Sequence, residues 1–241
     1  MKTKLISFAI LSAFLAGSLT TYIHGRSFWA PIYQKIVGKR STADVITIYG
    51  DHARNRMRPF FEQANISYPP QSITFLAIKE TEQLEIWAET NEGPRFIRSY
   101  QIEAMSGEPG PKLKEGDRQV PEGVYLIEYL NPNSAYHLSM KLDYPNPFDL
   151  KHATAEGRTQ PGSNIFIHGK AVSIGCLAMG DQTIEELFVL TSDIGKANIQ
   201  IAIAPNDPRV SPLPTSVSLG WISELHSTLN SYFSRYTKTL N

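Results

Sequence analysis

Residues 165–180 read IFIHGKAVSIGCLAMG and contain the single cysteine of the 241-residue chain, Cys176. His168 stands at the end of a short apolar run that predicts a β-strand. A thiolate is a strong nucleophile, and an imidazole takes the thiol proton well when an acceptor holds its second nitrogen. The residue types alone leave two interpretations open: a nucleophile with its base, or a buried thiol that follows a strand histidine.

The glycines around this pair supply what a cysteine nucleophile further needs. Gly175 leaves space beside the sulfur for a substrate backbone, and the N–H groups of Gly175 and Cys176 are candidate donors to an oxyanion. The remaining histidines show no spacing typical of a metal site, so we expect neither a metal nor a cofactor. These histidines are His24, His52, His137, His152 and His226.

Alternation of apolar and polar residues predicts a strand-rich region on both sides of this stretch. The predicted strands cover residues 72–79, 84–90, 95–103, 124–130, 136–145, 164–169 and 198–205. A helix is predicted for residues 183–195, with a capping box from Thr183 to Glu186. Strands dominate, so the expected fold class is mainly β (α+β overall) with peripheral helices.

Two flanking regions are expected to be helical. The amphipathic pattern in residues 25–68 is interrupted by Gly50, which predicts two short helices, and Pro69-Pro70 ends them. In residues 206–241 a proline-rich linker precedes a final helix with one apolar face. The expected division is an N-terminal segment 1–24, a helical extension 25–68, a main domain 69–205, and a linker with a C-terminal helix 206–241.

The N-terminus has the pattern of an export signal. Lys2 and Lys4 precede an apolar run over residues 5–19, which is shorter than a membrane span of about 20 residues. We expect export, with residues 1–24 either a cleaved signal peptide or an uncleaved membrane anchor. A single cysteine in an exported protein forms no internal disulfide, which leaves a reactive thiol, an intermolecular link or a buried apolar residue.

Composition and charge exclude other classes of protein. Lys and Arg number 23, and Asp and Glu also number 23, so there is no basic excess of the kind that binds nucleic acid. Hydrophobic residues make up 41% of the chain, which is enough for a folded core and argues against a disordered protein.

The segment HGKAVSIGCLAM, residues 168–179, resembles the catalytic segment of the YkuD-type L,D-transpeptidases. That signature is a His-Gly pair, a spacer, and then Ser/Thr-His-Gly-Cys. The segment is more similar to the YafK-like subgroup, where the spacer is short and no histidine precedes Gly-Cys, as in Ser173-Ile174-Gly175-Cys176 here. Flanking matches extend the resemblance over roughly residues 72–204: GPK (110–112), EGD (115–117), PEG (121–123), NPNSAYH (131–137) and DYPN (143–146).

The resemblance implies an L,D-transpeptidase-like, β-rich catalytic domain over residues 69–205 with its cysteine at the base of a cleft. It implies that Cys176 is the nucleophile and that His168 is the general base and later the proton donor. The backbone carbonyl of Gly169 would orient His168, and the backbone amides of Gly175 and Cys176 would bind the oxyanion. Ser173 matches the hydroxyl position of the signature.

Several residues are candidates for substrate binding. Four basic residues are candidates to pair with the carboxylates of a peptidoglycan stem peptide: Lys112, Arg118, Arg158 and Lys170. Tyr136 and His137 are candidates to line the cleft, and Ser173 either contacts the substrate or fixes the loop. One position departs from the larger family, because Ile174 stands where most members have a second histidine.

The resemblance implies a periplasmic or cell-envelope enzyme of cell-wall biogenesis that acts on peptidoglycan stem peptides through an acyl-enzyme at the L-centre of meso-diaminopimelate. No nucleic-acid partner is expected, and a membrane is contacted only through an uncleaved N-terminal segment. An alternative is a hydrolase that cuts the link between meso-diaminopimelate and an attached lipoprotein. Less favoured are a non-catalytic cell-wall-binding protein and, without export, a cytosolic thiol enzyme.

Overall fold

A computed structural model describes residue 35, residues 38–214 and residues 219–237. The described residues from Ser41 onward form one compact unit. The predicted export segment, residues 1–24, lies outside the described residues. Within the described ranges, no helix is both long enough and apolar enough to cross a membrane.

The described residues form one eight-stranded sheet with four α-helices around it, which confirms the expected mainly β (α+β) class. The strands are β1 (Ile73–Ile78), β2 (Gln83–Ala88), β3 (Arg95–Gln101), β4 (Gly123–Asn131), β5 (Ser139–Leu142), β6 (Phe166–His168), β7 (Leu177–Ala178) and β8 (Ile199–Ala204). Their order in the sheet is β3-β2-β1-β8-β4-β5-β6-β7. The helices are α1 (Thr42–Gln63), α2 (Pro147–Ala155), α3 (Asp181–Ile194) and α4 (Ile222–Phe233).

Alternation along the central strands sends side chains to two cores. On β1, Ile73 and Phe75 point into the main core, which α1 and α3 cover, whereas Leu76 points into a second core against α4. The parallel partner β8 repeats the pattern, with Ile201 in the main core and Ala202 in the second. Helix α4 packs against β8 and β4, at the middle of the sheet.

The face that α4 covers at the middle of the sheet continues over β6 and β7, and there it carries the predicted catalytic pair. Ile167 of β6 and Leu177 of β7 belong to the main core. Because successive side chains of a strand alternate between faces, His168 and Cys176 point to the opposite face. The same alternation that builds the core therefore places both candidate side chains on one surface.

Helix α1 is continuous from Thr42 to Gln63, so the expectation of two short helices is wrong. Glycine costs about 1 kcal/mol in a helix relative to alanine, but packing against the protein overrides that local preference. Gly50 is buried, and a side chain added there would meet Arg54 at 2.9 Å. Ser41 and Asp44 form a capping box that starts the helix.

Helix α3 begins at Asp181, and the capping box expected from Thr183 is also wrong. Its N-cap is Gly180 at φ 75°, which provides no side-chain hydrogen bond. Helix α2 was not predicted, although Asn146 and Asp149 form a complete capping box around Pro147.

One irregularity interrupts the pairing of β4 with β5. Ile127 pairs with Leu142, but Tyr129 pairs with Lys141, so the ladder holds one extra residue at Glu128. Before the extra residue, Ile127 faces the main core, and after it Tyr129 is 40% exposed.

Candidate active site

His168 ends β6, and Cys176 stands directly before β7, the parallel neighbour of β6. The register of β6 with β7 pairs Ile167 with Leu177 and His168 with Ala178, and one further step in that register brings Cys176 opposite Phe166. The two candidate side chains share a face and are diagonal neighbours, and Cα atoms in that relation are about 7–8 Å apart in a sheet. This spacing lets a thiol and an imidazole approach each other.

His168 is held as a neutral base. Its Nδ1 lies 2.6 Å from the carbonyl oxygen of Gly169. A carbonyl only accepts, so Nδ1 carries the proton and Nε2 is left unprotonated. The residue is 3% exposed, and burial lowers the pKa of His168 although the bond to Gly169 acts in the opposite direction. The imidazole is therefore neutral near pH 7.

Gly169 has a steric role besides its carbonyl. A Cβ at this position would lie 2.7 Å from the carbonyl oxygen of Tyr136 and 2.8 Å from Oδ1 of Asp181. Asp181 also accepts the backbone N–H of Lys170 at 3.0 Å and pairs with the Lys170 ammonium. Lys170 is thus engaged within the protein, directly behind the histidine.

Cys176 is partly buried and its thiol is protonated at neutral pH. Burial raises the pKa of Cys176, while the N–H of Phe166 and the charge of Lys112 lower it by less. The Sγ atom lies 3.8 Å from the carbonyl oxygen of Asn164, to which the thiol donates, and among the described residues His168 is not a hydrogen-bond partner of the thiol. The predicted role of His168 as the base would require the thiol to turn toward Nε2 of His168, and catalytic contacts often tighten only with substrate.

The loop that carries the cysteine is closed by two serine hydroxyls. Ser173 accepts the N–H of Cys176 at 2.9 Å and donates to the carbonyl of Cys176 at 2.7 Å. Ser106 accepts the N–H of Gly175 at 2.7 Å. Both amides expected to bind an oxyanion are therefore engaged by hydroxyls in this state.

Ser106 was missed from the sequence because it lies in the irregular loop after β3, where no periodic pattern applies. The bridge between Ala104 and Ala178 brings this loop beside β7. A Cβ on Gly175, whose φ is +90°, would meet the carbonyl oxygen of Gln119 at 3.3 Å. Residues 106–119 thus form the wall behind the cysteine loop.

A buried ion pair anchors that wall. The ammonium of Lys79 lies 2.9 Å from Glu122, with the two side chains 4% and 1% exposed. The same ammonium donates to the carbonyls of Glu108 and Gly110 at 3.0 and 3.1 Å. A buried charge with this many acceptors holds one geometry, because moving any of them leaves the ammonium under-satisfied.

Of the remaining residues predicted to bind substrate, Tyr136 lies beside His168 and Arg158 does not. The Tyr136 ring packs on His168, with centroids 4.7 Å apart and a tilt of 34°, and is 38% exposed. Arg158 donates to Glu156 at 2.7 Å and to the carbonyl of Leu113 at 2.8 Å. In the part of the chain that the structure describes, Arg158 makes no contact with His168 or Cys176.

A row of side chains, exposed at Tyr129 and partly buried at Lys141 and Phe166, leads across the sheet to the cysteine. Tyr129 pairs with Lys141, and Lys141 pairs with Phe166, which lies opposite Cys176. The rings of Tyr129 and Phe166 meet edge to face at 6.3 Å, and the Lys141 ammonium lies 5.8 Å from the Tyr129 ring centre. We call Tyr129, Lys141 and Phe166 the aromatic row.

Among the described residues there is no group of three or more His, Cys, Asp or Glu side chains placed to hold a metal ion.

Two solved structures are similar to part of this chain. The helical cell shape determining protein Pgp2 of Campylobacter jejuni is 17% identical, with a TM-score of 0.47 over 70% of this chain and 71% of that chain. L,D-transpeptidase 1 of Mycobacterium tuberculosis is 11% identical, with a TM-score of 0.32 over 55% of this chain and 62% of that chain.

Comparison of sequences finds relatives with higher identity than these two structures. YafK of Escherichia coli strain K12, provisionally named an L,D-transpeptidase, is 34% identical over 132 residues, which are 53% of this chain and 51% of YafK. The chain therefore spans about half the length of the curated relatives it matches. The sequence model of the YkuD family, the L,D-transpeptidase catalytic domain, matches residues 76–199, which is just over half of the chain. The chain belongs to the YkuD family of L,D-transpeptidase catalytic domains.

Proposed function

We propose that this chain is a cysteine-dependent L,D-transpeptidase that acts on peptidoglycan stem peptides in the cell envelope. The observation that carries the proposal is the bond from Nδ1 of His168 to the carbonyl of Gly169, which leaves a basic Nε2 on the face that also bears Cys176. Family membership supports a cell-wall enzyme. The export signal and the role of each residue remain predictions.

In the acylation step, Nε2 of His168 takes the proton of the Cys176 thiol. The thiolate attacks the carbonyl at the L-centre of meso-diaminopimelate, and a C–S bond forms as the carbonyl oxygen becomes an oxyanion. When that intermediate collapses, the C–N bond breaks and His168 returns its proton to the leaving amine. The product is a thioester. An amine acceptor, deprotonated by His168, then attacks the thioester. A new C–N bond forms as the C–S bond breaks, and the Cys176 thiolate leaves and takes back the proton from His168.

The oxyanion needs donors, and the amides of Gly175 and Cys176 are the nearest candidates along the chain. Each now donates to a serine hydroxyl, from Ser106 and Ser173. In the proposed reaction the oxyanion shares or replaces these acceptors, because a charged acceptor binds an N–H more strongly than a hydroxyl does.

The aromatic row is the proposed approach for the donor peptide. Its side chains lie in line with Cys176 on the same face, and Tyr129 is 40% exposed. The Tyr129 and Phe166 rings contact the apolar parts of a stem peptide, and the Lys141 ammonium attracts its carboxylates. Lys141 is already paired with Glu128 at 2.8 Å, so its contribution is to orient the substrate within a mixed-charge site.

A second candidate is the hydrolase, and Ile174 favours it. Most members of the larger family have a histidine at this position, whereas this chain has an apolar side chain that is 75% exposed. The acyl-enzyme would be the same. Water rather than an amine would release it, and the amine lost in the first step would be the lysine of an attached lipoprotein.

Muropeptide analysis separates these functions. Sacculi would be digested from cells that lack the protein, overproduce it, or overproduce Cys176→Ala. New 3–3 cross-links that depend on Cys176 support transpeptidation, and loss of lipoprotein-bound muropeptides supports hydrolysis. If neither pool changes, both proposals are wrong.

A further inference from the structure

Helix α1 lies outside the family-matched residues 76–199, yet it packs against α3, the helix that follows the cysteine loop. Two arginines of α1 form ion pairs with α3 at separate points. Near one end of the contact, Arg54 forms a two-bond pair with Asp193 at 2.9 and 2.7 Å. Nearer the start of α3, Arg56 contacts Glu185 at 3.3 Å and Glu186 at 2.5 Å.

Glu185, which pairs with Arg56 near the start of α3, also contacts His137. Nε2 of His137 lies 2.9 Å from Oε1 of Glu185, while the other carboxylate oxygen faces Arg56. The Tyr49 ring, from α1, and the His137 ring pack edge to face, with their centroids 5.3 Å apart. Side chains from α1 and α3 therefore fix a residue that itself precedes β5.

The backbone of His137 is also constrained, because its φ of 76° is in the left-handed region that few non-glycine residues adopt. Such a conformation persists when surrounding contacts hold it. Here it turns the chain so that Tyr136 and Leu138 both reach the catalytic strand.

Residues 136–138 contact the catalytic histidine and its orienting glycine from three directions. The Tyr136 ring packs on the His168 ring at 4.7 Å. The Tyr136 carbonyl closes the space beside Gly169, and the Leu138 carbonyl accepts the N–H of Gly169 at 3.1 Å. The position of His168 and of its hydrogen-bond acceptor thus depends on this segment.

We propose that His137 is a positioning residue, and that α1 acts on the active site through it: Tyr49 and Glu185 hold His137, and residues 136–138 hold the His168–Gly169 pair. Helix α1 is then a working part of this enzyme. The proposal rests on the role of His168 as the base. A displacement of about 1 Å at a catalytic group is enough to reduce a rate strongly.

The test uses iodoacetamide, because Cys176 is the single thiol of the chain and its labelling needs no peptidoglycan. Glu185→Ala removes the acceptor of His137, whereas Glu185→Gln keeps an oxygen there. Asp193→Ala is the matched control, because it breaks the other α1–α3 pair, whose carboxylate is 14% exposed against 16% for Glu185. Each variant is also made in a His168→Ala background, and free energies of unfolding are measured with denaturant.

We expect Glu185→Ala to slow labelling at neutral pH about tenfold, Glu185→Gln to restore most of the rate, and Asp193→Ala to change it less than about twofold at a similar loss of stability. With His168 absent, Glu185→Ala should have no further effect. The proposal is overturned if Asp193→Ala slows labelling as much, or if Glu185→Ala acts equally without His168. A wild-type labelling rate in His168→Ala would refute His168 as the base and, with it, the positioning role of His137. A wild-type labelling rate in Glu185→Ala alone would refute only the positioning role.

Discussion

The hydroxyl of Ser106 accepts the N–H of Gly175 at 2.7 Å and donates its own proton to the carbonyl of Arg118 at 2.8 Å. One side chain thus connects the cysteine loop to the wall behind it. The glycine could not be replaced by a larger residue without strain, since its φ is +90°.

Removing this hydroxyl should impair acylation more than folding. We expect Ser106→Ala to lower the free energy of unfolding by about 1 kcal/mol, because one partly buried hydrogen-bond pair is lost. The acylation rate should fall about tenfold, because the amide of Gly175 is no longer held for the oxyanion. Stopped-flow acylation and denaturant unfolding would measure the two effects, with Ser106→Thr as the control that keeps a hydroxyl. Faster acylation in Ser106→Ala would contradict this role and show that the hydroxyl competes with substrate.

The reactivity of Cys176 should show a raised thiol pKa. Burial raises it, so labelling should increase with pH through a range above that of an ordinary cysteine. The charge of Lys112 opposes the shift, and we expect Lys112→Met to raise the pKa further and slow labelling at pH 7. The exposed Lys114→Met is the control, and pH profiles of iodoacetamide labelling are the measurement. Equal profiles for Lys112→Met and wild type would exclude a contribution from Lys112.

Substitutions in the aromatic row should affect substrate binding rather than chemistry. We expect Tyr129→Ala to raise KM for a stem-peptide substrate several-fold, with kcat within about twofold of wild type. The reason is that the ring would contribute equally to binding of the substrate and of the transition state. Leu126→Ala is the matched control, since Leu126 lies on the same strand and is 44% exposed but precedes the extra residue in β4. Steady-state kinetics decide between the two. A loss of kcat without a change in KM would refute the assignment.

Asp149 should make stability depend on pH between about 4 and 7. Burial raises the pKa of Asp149 to about 6, against 3.8 in the unfolded chain, although its capping bond to Asn146 favours the charged form. The folded protein therefore keeps a proton that the unfolded chain has lost, and this contribution is present below the unfolded value and is lost as the pH rises through the folded value. Relative to Asp149→Asn, the free energy of unfolding of the wild type should fall by about 3 kcal/mol as the pH rises across this range. Denaturant unfolding at several pH values would show a constant difference if the carboxyl is not perturbed.

Periodicity was a sufficient guide to the long strands and to the class of fold. The alternating runs at 72–79 and 198–205 correspond to β1 and β8, and the run at 164–169 contains β6. The two-residue strand β7 has no period to detect, and α2 lacks an amphipathic pattern, although Asn146-Pro147 with Asp149 was a readable start signal.

The sequence located the candidate pair but not its support. His168, Gly169 and Cys176 stood out because their residue types suit the chemistry. Ser106 bonds Gly175 across a sequence separation of 69 residues, and Glu185 bonds His137 across 48, so only the strand pairing and the helix packing reveal these contacts. Local rules also failed at Gly50, where tertiary contacts keep α1 continuous.

The extra residue at Glu128 divides β4 into two stretches with opposite phase. In the first, the odd-numbered Tyr125 and Ile127 are core residues, and in the second the odd-numbered Tyr129 belongs to the aromatic row. An engineer could therefore vary the second stretch to change substrate choice while leaving the first, and with it the stability of the scaffold, untouched.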